Sequence, residues 1–234
     1  MQKILRSIQI YLGLMVYLVA VKLALTAFPG VFRSPAQAAV FDWPLLALWT
    51  VLGLMGVWLA EKTGFAPAWQ GDVSNRARIL VPALLGAGFG LLAIVTDAAT
   101  GWTRFVAAKM GIATIHISFP ASLLIYPGGA IIVEVLYRLF PIPLLLWLIS
   151  TKLCRGRWQD PIFWTLAVLT SLVEPYGDLG LRNLGFVTML SVFLQDFALN
   201  LAQASLFRRY GFLAAILLRV SFYLIWHVVW GLAR

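Results

Sequence analysis

Glu134 and Arg138 lie four residues apart in the run from Gly128 to Pro143, GGAIIVEVLYRLFPIP, where almost every other side chain is apolar. Four residues is about one helical turn, so the two side chains share a face and can pair as ions. Inside a membrane an ionised side chain is costly, and it marks a site whose partner must be named. Further along, Glu174 ends an apolar run, and Asp196, Asn200 and Gln203 recur at helical spacing. Arg219, Tyr223 and His227 form a second stripe, each four residues from the next. Carboxylates and a histidine within reach of one another can activate a water or relay a proton; beside arginines they can instead neutralise buried charge. The Asp196/Asn200/Gln203 stripe reads as hydrogen bonding between helices. His116 stands alone and reads as structural, because a zinc site wants three or four donors. Cys154 is the only cysteine, which excludes disulfides within the chain and thiolate metal sites. No metal and no cofactor is expected.

The elements that hold these residues follow from composition. Of the 234 residues, 62% are hydrophobic and only 12% charged, against about 25% charged in soluble domains. The mean hydropathy is +0.90. These values describe an all-α, polytopic transmembrane helical bundle. The length has room for about seven or eight membrane helices of ~20 residues with short loops. The chain reads as one integral-membrane domain over 1–234. Its net charge of +9 sits in the loops between apolar runs, with no basic stretch interleaved with stacking aromatics. The partner this implies is the lipid bilayer, not nucleic acid.

The first apolar run, Ile8 to Phe28, follows Lys3 and Arg6 and is followed by Ala36-Gln37-Ala38. It exceeds the 7–15 residues usual for a signal h-region and is expected to be a retained span. Further spans are expected over 43–60, 79–99, 119–150, 161–173, 184–207 and 212–232. Gly86, Gly88 and Gly90 mark a face where helix backbones can approach closely. The segment 101–118 reads as an interfacial helix. Pro127, Gly128, Gly129, Pro141 and Pro143 predict a kinked or broken helix near 127–143, which would open the way to an eighth helix. Placing the N-terminus in the cytoplasm puts Lys3, Arg6, Lys62, Arg76, Arg78, Lys152, Arg155, Arg157, Arg208 and Arg209 on the inner side. Arg33, Arg104, Lys109, Arg182 and Arg234 fall outside, a positive-inside distribution.

From about Phe119 to Gly231, roughly half of its length, the chain resembles the CPBP family of glutamic intramembrane proteases. This is the CAAX-protease and bacteriocin-processing family, also called Abi. Its members carry Glu-Glu-x-x-x-Arg, Phe-x-x-x-His and His-x-x-x-Asn/Asp on three helices. The likeness is carried by GGAIIVEVLYRLF and by SLFRRYGFLAAILLRVSFYLIWHVV. It implies a CPBP-like core over 119–231, with 1–118 as N-terminal helices, and a bacterial inner-membrane location. Glu134 and Arg138 fall on the second Glu and the Arg of the first motif, and Val133 replaces the water-activating Glu. Glu174 falls where the second motif has His, while Arg219 and Tyr223 take the His and Asn/Asp of the third. His227 matches a further histidine found in some members.

By this mapping the hydrolytic groups are replaced, and Glu174 and Arg219 are expected to pair beside Glu134 and Arg138 with a net charge of zero. Three functions are open. The first is a non-catalytic homologue, a pseudoenzyme that binds a membrane peptide or a partner membrane protein. The second is an active, divergent intramembrane endopeptidase in which Glu134 or Glu174 activates water, assisted by His227 or His116. The third is a proton- or ion-coupled carrier using Glu134, Glu174 and Asp196.

Overall fold

The computed structural model describes residues 2–27, 38–69 and 73–233. Among them all regular structure is helical. The order is α1 (Gln2–Ala27), α2 (Trp43–Lys62), α3 (Arg76–Thr100), a short α4 (Trp102–Met110), α5 (Ser122–Leu153) and a short α6 (Gln159–Ser171). A 3-10 segment (Pro175–Leu184), α7 (Phe186–Tyr210) and α8 (Phe212–Leu232) complete it. Phe28, Arg33, the Ala36-Gln37 part of the Ala-Gln-Ala step and Arg234 lie outside the described residues.

Six of these helices are long and apolar enough to cross a bilayer, fewer than the seven or eight expected. The difference lies in the span expected over 161–173, which is the 13-residue α6. At 1.5 Å per residue it extends about 20 Å, short of a hydrocarbon core of about 30 Å. Pro175 has no N–H to continue an α-helical ladder, and the chain resumes as 3-10 turns with this proline at the start.

Contacts at the two ends of the bundle show how α6 is used. At one end, Thr63 O accepts from Gln159 Nε2 at 2.6 Å and from Arg208 Nη1 at 2.7 Å, and Arg208 also pairs with Asp160. At the other end, Asp97 accepts from Thr103 N, Thr103 Oγ1 and Trp230 Nε1, tying α3, α4 and α8 together. The 3-10 segment continues the chain from α6 and packs on α7 and on α4. Glu174 sits where the two join.

The break expected near 127–143 is a wide turn inside one helix, not a split that adds another. Pro141 and Pro143 lack amide protons, and Phe140 N reaches back five residues to Val135 O at 3.3 Å. The helix therefore continues from Ser122 to Leu153. The wide turn spans Val135–Leu139 and carries Arg138 inward. Of the three glycines expected to form a packing face, Gly86 and Gly90 do so. A Cβ on Gly86 would collide with the Leu218 carbonyl, and one on Gly90 would lie 2.7 Å from Ile225 Cβ. Gly88 faces open space.

Candidate functional site

Glu134 and Arg138 are fully buried within α5, at 0% and 1% exposure. Arg138 Nε donates to Glu134 Oε2 at 2.6 Å, one helical turn away. Glu134 Oε1 and Arg138 Nη2 make no hydrogen bond among the described residues. The remaining reach of Arg138 is sideways: its Nη1 donates to Asn200 Oδ1 of α7 at 2.7 Å.

Arg219 of α8 approaches the same oxygen from the other side, with Nη2 at 2.9 Å. It also takes Glu174 as a fork, Nη1 to Oε1 at 2.8 Å and Nη2 to Oε2 at 2.7 Å, the bidentate arrangement that gives charge-assisted pairs their strength. Its Nε donates to Gln203 Oε1 at 2.9 Å, and Gln203 Nε2 returns to Ala215 O on α8. Asn200 Nδ2 donates to Asp196 O one turn back, which leaves its carbonyl aimed at the two arginines. Two carboxylates and two guanidiniums from three segments thus neutralise one another, as buried ions must. Burial works to raise the Glu174 carboxyl. The Arg219 charge and hydrogen bonds, with smaller help from Arg138 and Asn200, outweigh it and hold the group at about 2.

Beside this row lies a cavity of about 160 Å³. Glu174, Asp196, Arg219 and His227 contribute its polar lining, and Trp102 and Trp226, stacked with ring centroids 5.7 Å apart, part of its apolar wall. Asp196 meets the carboxyl of Asp178 from the 3-10 segment. Burial, with the Glu174 charge as a smaller influence in the same direction, raises Asp178 to about 6 against the lowering effect of the Asp196 hydrogen bond.

Six of the residues singled out in sequence divide into two groups. Glu134, Arg138, Glu174 and Arg219 are brought together. Tyr223 touches the edge of this group, its hydroxyl 3.4 Å from Arg219 Nη1. His227, one turn further along α8, belongs to a different contact: its Nδ1 lies 3.1 Å from His116 Nδ1, and its ring stacks on Tyr126 at 4.4 Å. His116 is therefore not alone.

Sequence reasoning missed the position of Asn200 between the arginines and the meeting of Asp178 with Asp196. The first had a signal, since Asn200 and Gln203 share a helical stripe with Asp196. The second had none, because Asp178 lies in a segment without a period.

No family model, curated protein or solved structure matches this chain.

Proposed function

We propose that this protein is a non-hydrolytic relative of the CPBP intramembrane proteases, and that it works by binding a membrane peptide or a partner membrane protein. The observation that carries this reading is the seat of Arg219 on both oxygens of Glu174. A general base needs a lone pair within reach of a water and a workable pKa. Glu174 lends both oxygens to a guanidinium and is held at about 2. Glu134 is fully buried against Arg138, and Val133 has no proton-accepting group. What the site retains is a rigid, neutral floor under a small cavity with an aromatic wall, which suits recognition better than hydrolysis. The positive-inside distribution of the loop lysines and arginines supports an inner-membrane location with the N-terminus in the cytoplasm.

A divergent endopeptidase is the second reading, favoured by Glu174, Asp196 and His227 lining one cavity. The two are separated by incubating the purified protein in proteoliposomes with membrane-anchored peptides, alongside Glu134→Gln and Glu174→Gln. The first reading expects no cleavage by any of the three. Cleavage by the wild type that disappears in Glu174→Gln would overturn it.

A further inference from the structure

Glu174 and Arg219 cancel within their fork, and Glu134 and Arg138 cancel within α5. The charge of Asp178 and Asp196 is left over. Two carboxyl groups can bond to each other only through a proton, and one proton between them leaves a negative charge on the pair. Among the described residues no lysine or arginine forms an ion pair with either aspartate. Asp178 Oδ2 is buried and makes no hydrogen bond among the described residues. A charge taken out of water in this way calls for a counter-ion.

Asp196 brings this pair to the lining of the 160 Å³ cavity, whose apolar part comes from Val192, Phe222 and the stacked Trp102 and Trp226. A cavity of about 150 Å³ is enough for a benzene-sized group. A lysine side chain, an ammonium on a four-carbon stem, is of this size. Its stem packs on apolar carbon while its head seeks a polar partner, and the cavity offers both. An ammonium carried on a phospholipid headgroup would bring a phosphate with it. Arg219 is not free to receive that phosphate, because its nitrogens already donate to Glu174, Asn200 and Gln203. The lining therefore favours an ammonium on a bare alkyl stem.

We infer that the cavity receives a lysine side chain of the bound membrane polypeptide, with its ammonium on the Asp178–Asp196 pair and its stem along the Trp102 and Trp226 wall. The inference deepens the binding reading above and rests on it.

Isotope-labelled indole N–H resonances of the full chain in phosphatidylglycerol nanodiscs test it, with n-butylammonium chloride as the probe. Phenylalanine replacements at Trp102, Trp226 and Trp43 assign three signals. Trp43, exposed at the start of α2, reports simple partition of the probe into the bilayer. A saturable shift at Trp102 and Trp226 that Trp43 does not share is expected. Sodium chloride supplies charge without a stem, and n-butanol a stem without charge; both are expected to leave the cavity signals in place. Asp196→Asn is expected to weaken the butylammonium response by roughly 10-fold, as loss of a hydrogen bond between charged groups does. Asp160→Asn, exposed at the opposite end of the bundle, is expected to match the wild type.

Cavity shifts no larger than that of Trp43, or an equal response to butanol or sodium, overturn the proposal without any aspartate variant. An undiminished response in Asp196→Asn overturns it as well. Discs that contain phosphatidylethanolamine probe the competing source. Cavity signals already displaced there, with no further effect of butylammonium, overturn the lysine assignment in favour of a lipid headgroup. The cleavage assay judges the binding reading separately, and a failed titration leaves its result untouched.

Discussion

Arg138 and Arg219 converge on one atom: both donate a guanidinium N–H to Asn200 Oδ1, at 2.7 and 2.9 Å. The result is a row of five side chains with a carboxylate at each end, an arginine inside each carboxylate and an amide in the middle. Each arginine is held from two sides, by its carboxylate and by this amide.

The Glu174–Arg219 fork makes single and paired changes unequal. Glu174→Gln or Arg219→Gln leaves one buried charge without its counter-ion and is expected to lower stability by about 3 kcal/mol. Exchanging the two, Glu174→Arg with Arg219→Glu, restores neutrality and should be milder than the sum of the two single reversals. Thermal unfolding in detergent across this double-mutant cycle reads the coupling directly. Strict additivity would show that the fork contributes nothing.

Asn200 offers a sharper distinction. Asn200→Leu removes an acceptor shared by two charged donors, and a loss of about 2 kcal/mol is expected. Asn200→Gln keeps an amide oxygen on this turn and leaves the row neutral, and should fold better than Asn200→Leu. Comparing the melting temperatures of the two variants checks this, and equal values would argue against the bridging role.

The glycines of α3 give a packing test independent of charge. Gly86→Ala drives a methyl into the Leu218 carbonyl and is expected to cost about 2 kcal/mol. Gly88→Ala meets nothing within 4 Å and, by helix propensity, is expected to be neutral or slightly stabilising. The same unfolding assay applies to both.

Asp178 predicts a pH dependence with a definite sign. Its folded pKa of about 6 lies above the ordinary value of 3.8, so the folded protein holds this proton more tightly than the unfolded chain does. Stability from this group is therefore fully present below about pH 4 and is lost as pH rises through about 6. Acidifying from about pH 7 to about pH 5 should raise the melting temperature of the wild type relative to Asp178→Asn. A constant gap between the two proteins across that range would show that Asp178 does not titrate there.

Much of this arrangement is legible before any coordinates, for identifiable reasons. A spacing of four residues in apolar surroundings is enough to pair Glu134 with Arg138. Opposite charges at Glu174 and Arg219, two positions that the expected resemblance brings together, anticipate a contact across 45 residues. The helical class follows from hydropathy alone. The number of spans does not, because hydropathy over 161–173 cannot register that Pro175 halts the α-helical ladder. Nor does the split of the second stripe: the 3.6-residue period aligns His227 with Arg219, while the wide turn over Leu224–Val229 and the approach of His116 decide which neighbours each one meets. Asp178 is invisible for a similar reason, since its partner is set by how the 3-10 segment lies on α7.

The five-membered row also constrains how this sequence can drift. A lone replacement at either end leaves a buried charge without its counter-ion, so tolerated changes must arrive as matched partners. Acidic and basic letters at 134, 138, 174 and 219 are then free to alter in kind, provided that their sum stays at zero, and it is this balance that descent should preserve.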